Sequence, residues 1–509
     1  MLLANTSQIR QADQLQIEAY QYPGILLMET AGRLTAERIC ERFPSHQPFI
    51  LLIGPGNNGG DAWVIARILH LKGYAIHLIC SHTPERYTGD AHIMYQIAET
   101  LNIPWKQFDA GEVEEALAGF QVPPVLIDGL LGTGVQSALR GRIKEVISFF
   151  REKDLTTLAI DLPSGINADS GCVLNEVLPA ETTYTFQLPK VCHTVTPAAL
   201  TCGRVEVLDI GIFPEVIQQL GIQREWLDAK WFRENIQQPR SDSHKGSMGH
   251  VLLVGGSKAY GGAISLSAMG AMHAGVGLCT CASVEVNRSM LLSHCPEAMF
   301  LGLGEEQNIG KQHISLLEPV LKKKKAICIG PGMGEIPKTA AFLADFLPLV
   351  AVPVVLDAGA LSAMATNPHL WEVLPNQTIV TPHPGEMRQL MSEADVIHKR
   401  LECAEKLARE KGCVVVLKGQ GTIIAGPERT YVNATGNHGM ASGGTGDVLT
   451  GIIGSFLAQG YPAETAAALG AYIHGKAGDL LAEKVHQHGV LASSLAQQIG
   501  PAIQSLMQQ

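Results

Sequence analysis

The chain has 509 residues, which at about 100–200 residues per domain is long for one hydrophobic core. Its 38 basic residues are outnumbered by 48 acidic ones, a net charge of −10, so the basic excess that a nucleic-acid surface needs is missing. Glycine, at 53 residues, exceeds the usual share of about 7%, and the excess sits in turns between apolar strands and helices, where phosphate-handling α/β proteins place it.

Helical patterns over 7–20 and 24–42 open the chain. Apolar runs then alternate with helices: strand 48–54, helix 61–72, strand 74–80, helix 89–101, strand 124–132, helix 141–152 and strand 156–165. "TYTFQLPK" and "RVEVLDIG" add two strands near one edge. Continuous apolar strands separated by helices predict a parallel sheet covered on both faces. The stretch 223–249 is more polar, and a domain boundary is placed inside it near 225, giving domains 1–225 and 226–509. The alternation restarts with strand 250–257, a small-residue helix from Gly261 to about Gly275, and strands within 326–334, 352–361, 378–386 and 413–426. Helices over 443–459, 463–484 and 491–507 complete the pattern. The halves share a class without an internal repeat, so two different α/β domains are expected.

Eleven cysteines without a C-x-x-C pair suggest neither a disulfide framework nor a zinc site, and hence a reducing compartment. Cys279 and Cys281, two apart in an apolar run, read as buried free thiols. "MLLANTSQIRQADQ" lacks a basic segment followed by a sustained apolar core, and no apolar run approaches about 18 residues. The expectation is a cytoplasmic protein with no membrane partner.

"LLIGPGNNGGDAWVIARILHLKG" (51–73) carries a dinucleotide-binding fingerprint in Gly54, Gly56 and Gly59. A dehydrogenase would also need an acid about 20 residues on, ending the next strand. Here "YAIHLIC" runs into Ser81 and His82, and the dehydrogenase reading loses its second element. What remains is a helix start with open backbone N–H groups, where Asn57 and Asn58 add amide donors and carbonyl acceptors. Asp128 ends "VLID" before "GLLGTGVQSALRG", and Asp161 ends "TLAID" before "LPSGIN". Ligands of an open parallel sheet collect outside the carboxyl ends of its strands, so the three loops should converge.

"GPGNNGGDA", "DGLLGTG" and "AIDLPSGIN", in this order, resemble the epimerase domain of the bifunctional NAD(P)H-hydrate repair enzymes over roughly residues 1–220. The resemblance implies a Rossmann-like domain that interconverts the R and S epimers of NADH and NADPH whose nicotinamide ring has taken up water (NADHX and NADPHX). Asn57, Asn58, Gly59, Gly60 and Asp61, with Gly132, Thr133, Gly134, Val135, Gln136, Ser137 and Ala138, would then line the hydrated nucleotide. Asp161 would contact the altered ring and pass the proton, while Asn58, Asp128 and Ser164 would hold K⁺.

In the second half, "NHGMASGGTGDVLTGIIGSFLAQG" (437–460) places Gly443, Gly444 and Gly446 before Asp447 at the start of an apolar helix. Backbone N–H groups there make an anion site, with a carboxylate where an attacking hydroxyl would approach. The pattern resembles the ribokinase-like fold, in which the corresponding aspartate is the catalytic base. "HKGSMGHVLLVGGSKAYGGAISLSA", "GPGMG", "TPHPGEM" and "LKGQGT" resemble the dehydratase domain of the same repair family. By that resemblance Ala263, Gly332, His383 and Asp447 would contact the hydrated dinucleotide. Lys418, Gly419, Gln420, Gly421, Thr422 and Gly446 would hold the adenine nucleotide, and Lys245 is expected to be solvated.

The implied reaction dehydrates the S epimer at the expense of ADP with Mg²⁺, giving NAD(P)H, AMP and phosphate. The implied partners are small molecules, NADHX or NADPHX and ADP, and the implied assembly is a homo-oligomer, with a tetramer among its forms. A small-molecule kinase of the ribokinase-like class with a Rossmann-like accessory domain shares "GGTGD" but leaves the first half's loops and "TPHPGEM" without a purpose. A non-enzymatic interaction module in the first half is opposed by the intact Asn58, Asp128 and Asp161.

Overall fold

The computed structural model describes residues 1–392 and 395–508. The chain divides into two compact units, Met1–Arg224 and Glu225–Gln509. In the first, β1 (Phe49–Ile53), β2 (Ile76–Cys80), β3 (Trp105–Gln107), β4 (Val125–Gly129), β5 (Thr157–Ile160), β6 (Thr182–Phe186) and β7 (Arg204–Leu208) form one sheet. Its order is β3-β2-β1-β4-β5-β6-β7, and every neighbouring pair is parallel. "FILLI" and "TLAI" are buried along their whole length because helices cover both faces of the sheet. The strand order reverses between β1 and β4, so the loops after these strands splay apart and leave a crevice at their carboxyl ends.

The helix after β1 begins at Asn57 rather than 61, so "NNGGD" is its first turn and not a loop before it. Two of the fingerprint glycines are there for close approach. A methyl group on Gly54 would collide with the Leu130 carbonyl oxygen, and one on Gly59 with the Gly54 carbonyl oxygen, whereas Gly56 has open space beside it. The edge strand Trp105–Gln107 and the helix Ala110–Gly119 are additions to the sequence pattern. Three residues of partly exposed edge strand carry no apolar run to read.

The second unit holds β8 (Arg224–Trp226), β9 (His250–Val254), β10 (Leu278–Ser283), β11 (Met299–Gly302), β12 (Ala326–Ile329), β13 (Val354–Leu356), β14 (Thr378–Val380), β15 (Val414–Leu417), β16 (Thr422–Ala425) and β17 (Thr430–Asn433). The order is β11-β10-β9-β12-β13-β14-β15-β16-β17-β8, parallel from β11 to β15 and antiparallel from β15 through β17. The segment 413–426 is therefore a hairpin of two strands and not one, its turn falling at 418–421. Gly419 and Gly421 are what break it. The last helical segment is likewise two helices, Ala492–Gln497 and Ile499–Gln508. The polar stretch after 223 contains β8 and the helix Ala229–Asn235, capped by Asp228 and burying Trp231 and Phe232.

Helices Gly261–His273 and Thr445–Ala458 approach closely because they meet through small residues. A methyl group on Gly270 would strike the Val448 carbonyl oxygen, and one on Gly451 that of Ser267. The contact is fixed by Ser267 Oγ, which donates to the Asp447 carbonyl at 3.0 Å. Cys279 and Cys281 are buried free thiols with sulfurs 3.8 Å apart. Among the described residues no helix is long and apolar enough to cross a membrane.

Candidate active sites

Asp128 ends β4 with its side chain fully buried. Its Oδ1 accepts from Leu130 N at 3.2 Å and Ser164 Oγ at 2.7 Å, and its Oδ2 from Ser164 N at 2.7 Å. Leu131 N donates to Ser164 Oγ at 3.0 Å, and Asn58 Nδ2 to the Leu131 carbonyl at 2.9 Å. The structure thus brings Asn58, Asp128 and Ser164 to one place around the loop after β4. Burial lifts the Asp128 carboxyl to about 6 against these hydrogen bonds. No lysine, arginine or histidine is paired with it among the described residues.

Beside this lies a cleft of about 500 Å³. Asp161 enters it from the end of β5 with φ +65°, a left-handed backbone that turns its side chain away from the strand direction. Its partner is Lys190, 1% exposed, whose Nζ donates to Asp161 Oδ1 at 2.5 Å, to Thr185 Oγ1 at 2.9 Å and to the Phe186 carbonyl at 3.2 Å. Thr185 Oγ1 also donates to Asp161 Oδ1 at 3.0 Å. Burial alone would raise Asp161, but the Lys190 ammonium and these donors hold it below the usual carboxylate range. The His193 ring, kept neutral by burial and Lys190 at about 4, donates from Nε2 to the Asp161 carbonyl at 3.0 Å.

Three further carboxylates, Asp13, Asp61 and Asp90, line the cleft. Asp61 is buried and pushed well above the usual range by burial and by the charges of Asp161 and Asp13. Asp13 rises to about 6, chiefly through burial. Of the residues expected to hold the hydrated nucleotide, Asn57, Asn58, Asp61, Gly132, Thr133, Gly134, Val135 and Asp161 line the cleft. Gln136, Ser137 and Ala138 are exposed outside its lining, and Gly59 and Gly60 face Gly54 and Met28 inside the fold. Lys190, Thr185 and Asp13 escaped the sequence reading. Lys190 follows a proline in no motif, and Asp13 sits on a helix where a polar residue looks solvated.

The second site gathers around Lys418, which follows β15. Its Nζ donates to Asp357 Oδ1 at 2.9 Å and lies 3.9 Å from Glu386 Oε2. Thr450 Oγ1 donates to the other Asp357 oxygen at 2.7 Å. A methyl group on Gly446 would come 3.3 Å from Lys418 Nζ, so the ammonium abuts the turn that carries Asp447. Burial would lower Lys418, but Asp357 and Glu386 overcome it and raise it. Asp447, in the first turn of its helix, is lifted to about 7 by burial and the Asp357 charge, against Lys418.

His383 caps the helix Pro384–Met391, its Nδ1 accepting from Gly385 N at 2.9 Å and Glu386 N at 3.2 Å while its own N–H donates to Glu386 Oε2 at 2.8 Å. Ala263 lies in the first turn of its helix, and a methyl group on Gly332 would sit 2.9 Å from its Cβ. The turn Lys418–Thr422 is anchored by buried Arg400, which donates to the carbonyls of Gln420 at 2.6 Å, Gly421 at 3.3 Å and Lys418 at 3.4 Å. Lys245 is exposed. Asp357 and Glu386 were missed, although Asp357 follows the apolar strand "VVL" just as Asp161 follows "TLAI". The criterion used in the first half would have found it.

Residues 251–501 match a family model described as NAD(P)H-hydrate dehydratase, and residues 24–192 one described as YjeF-related protein N-terminus. The bifunctional NAD(P)H-hydrate repair enzyme of Moorella thermoacetica is 37% identical over 505 residues, covering 97% of this chain and 95% of that protein. That of Escherichia coli is 31% identical over 492 residues, covering 95% and 89%. A ribokinase-like superfamily protein of Enterococcus faecalis superposes with a TM-score of 0.50 at 30% identity, covering 56% of this chain and 96% of that one.

Proposed function

The chain belongs to the family of bifunctional NAD(P)H-hydrate repair enzymes, and from that premise we propose a division of labour between its two sites. The enzyme repairs hydrated NADH and NADPH; the first unit carries the epimerase and the second, ribokinase-like unit the dehydratase. In the first unit Asp161 passes a proton to and from the C6 hydroxyl of the hydrated ring, whether that hydroxyl leaves and returns or the ring opens and recloses at C6. Lys190 keeps Asp161 ionised, and Asn58, Asp61 and the loop from Gly132 to Val135 bind the dinucleotide. The outlying Gln136, Ser137 and Ala138 extend that binding edge.

Asp128, Asn58 and Ser164 would hold K⁺. The buried, uncompensated Asp128 carboxylate supports this, and the ion would supply positive charge that fixes the three loops and favours the anionic ligand.

In the second unit Asp447 takes the proton of the C6 hydroxyl, and that oxygen attacks the terminal phosphate of ADP, releasing AMP. Phosphate is a far better leaving group than hydroxide. It departs as the ring nitrogen pushes electrons into the ring, and loss of the C5 proton restores NAD(P)H. Asp447 carries this reading: a carboxyl lifted to about 7 is a competent base at neutral pH, and it lies in the first turn of its helix, a turn that Lys418 abuts, which supports phosphate binding there. Ala263, Gly332 and His383 line the dinucleotide side, and Lys418 to Thr422 with Gly446 the nucleotide side.

Among the described residues no set of three His, Cys, Asp or Glu side chains converges on a metal. Mg²⁺ bound together with the nucleotide would offset the negative charge that Asp357, Glu386 and Asp447 bring around Lys418. Buried thiols such as Cys279, Cys281 and Cys328 suit the cytoplasm, and a homo-oligomer is the assembly we expect. Incubation with hydrated NADH, ADP and Mg²⁺ tests the reading: absorbance at the NADH band should return, with AMP and phosphate formed in equal amounts. If NADH fails to reappear, or if ADP is consumed without it, the proposal is wrong.

A further inference from the structure

Resting on the reading of the second unit as the dehydratase with Asp447 as its base, we propose that Asp479 is a positioning residue of that site, fixing the turn 443–447 through Asn437, Met440 and Thr445. The stretch "AAALGAYIHGKAGDLL" (466–481) lies in the helix Ala463–Val485 and sets Tyr472, Gly475 and Asp479 on one face. The segment between β17 and the helix Thr445–Ala458 is laid along that face. Asn433 Nδ2 donates to the Ala471 carbonyl at 3.0 Å, and Thr435 Oγ1 to the Tyr472 carbonyl at 2.9 Å. A methyl group on Gly475 would strike Thr435 Oγ1, and one on Gly478 the Met440 sulfur, so the helix is bare where the segment crosses it.

Asp479 closes the face one turn beyond Gly475. Its Oδ2 accepts from Gly436 N at 3.0 Å, and its Oδ1 from Asn437 Nδ2 at 3.0 Å. No ion pair engages it among the described residues, so both oxygens are given to this segment. Hydrogen bonds then lead from Asn437 to the base. Asn437 Oδ1 accepts from Gly439 N at 3.0 Å and its carbonyl from Met440 N at 3.1 Å, which shapes the short helix His438–Met440. Thr445 Oγ1 lies 3.0 Å from the carbonyls of both Met440 and Ser442. Thr445 opens the helix whose first turn carries Gly446, against the Lys418 ammonium, and Asp447.

The turn needs such ties because it has little stiffness of its own. Gly443 and Gly444 stand in it side by side, Gly444 with φ +92°. From other directions Ser267 holds the Asp447 carbonyl, and Ser442 Oγ donates to the Val490 carbonyl at 3.3 Å. Asp479 is the charged member of the set, and hydrogen bonds to a charged acceptor are the stronger ones. Its chemistry suits its place: a carboxylate only accepts, and the two groups facing it both donate. A base and the backbone N–H groups beside it act only where charge develops, and a shift of about 1 Å costs about 10²-fold in rate. Asp479 thus acts through the turn and not on the reactants.

The test uses the full chain and initial rates of NADH formation from hydrated NADH, ADP and Mg²⁺. kcat is taken per nucleotide-binding site counted by calorimetry, so that loss of folded protein does not register. Asp479→Asn keeps the size but turns an amide donor toward one of the two donors. It should lower kcat by about 10–10²-fold while the KM values stay within about threefold. Epimerisation, carried by the other unit, should be unchanged. Asp479→Asn combined with Asn437→Asp exchanges donor and acceptor across the contact, restores each hydrogen bond and should return most of the rate. Where the single variant does not fold, the swapped one decides alone. Turnover of Asp479→Asn close to wild type, a loss confined to KM, or a swapped variant as slow as the single one would overturn the inference. Asp447→Asn in the same assay separates the two readings. If it is slow and Asp479→Asn is not, the positioning role alone falls; if it turns over normally, the reading of the site falls and this inference with it.

Discussion

Lys418 Nζ and Asp357 Oδ1 meet at 2.9 Å on the second unit, and the pair points the ammonium at the turn that carries Asp447. Because Thr450 holds the second Asp357 oxygen, the carboxylate and the lysine paired with it have a fixed place. The lysine's charge also opposes the rise of Asp447, so one side chain helps set the protonation of that carboxyl.

The first prediction concerns that base. Dehydratase kcat/KM should rise with pH through about 7, since Asp447 must be ionised to accept the hydroxyl proton. Lys418→Met removes the charge that lowers Asp447, so the limb should move to higher pH. A profile of NADH formation between pH 5.5 and about 9 checks both statements; a limb that stays in place in the variant refutes the coupling.

Asp447→Asn should cost the dehydratase about 10²–10⁴-fold in rate, because it keeps the size and most hydrogen bonding but removes the basic oxygen. ADP should still bind by calorimetry, and epimerisation in the first unit should be untouched. Near-normal turnover would reduce Asp447 to a residue of the first helical turn with no part in the chemistry.

Asp161→Ala should leave the dehydratase able to use only the epimer it accepts. On a mixed pool of hydrated NADH, NADH should reappear quickly for the first portion and then at the slow rate of spontaneous epimerisation. An unchanged time course would remove Asp161 from the reaction.

The fingerprint glycines should separate by role. Gly54→Ala drives a methyl group into the Leu130 carbonyl and should cost the first unit about 1–3 kcal/mol or more. Gly56 has open space and borders the cleft, so Gly56→Val should melt close to wild type yet bind hydrated NADH more weakly. Thermal denaturation paired with ligand titration distinguishes the two; equal melting temperatures would contradict the assignment.

Potassium should raise the melting temperature of the first unit, and Asp128→Asn should abolish that response. Sodium or choline at equal ionic strength supplies the control. A shift of the same size with all three salts would argue against a specific cation at Asp128.

Most of the first sheet and the strands β9, β12, β13, β14 and β15 of the second were legible because continuous apolar strands such as "FILLI" can be buried only between two layers of helices, whereas β8, β10, β11 and β17 were not read. The three loops of the first unit were legible because glycines and acids stand directly after such strands. The hairpin at 418–421 was not, since "CVVVLKGQGTIIAG" keeps an apolar pattern on both sides of its turn and only direction separates two strands from one. Lys190 and Asp13 illustrate the other limit. Each is a polar residue on an unremarkable segment, and only the fold brings it to the cleft that Asp161 enters, about 29 residues from one and nearly 150 from the other.

The short strand β8 sits at the edge of the second sheet beside β17, where Leu227 N donates to the Val432 carbonyl at 3.0 Å. During translation, the residues of this first strand leave the ribosome about 200 positions before their partner. At about 5–20 residues per second the exposed segment waits about 10–40 s before it can be paired. Trp231 and Phe232, just behind it, are apolar surface throughout that interval. The edge of the second sheet at β8 can therefore be completed only after β17 has been made, so the first strand of this sheet to be synthesised waits for one of the last.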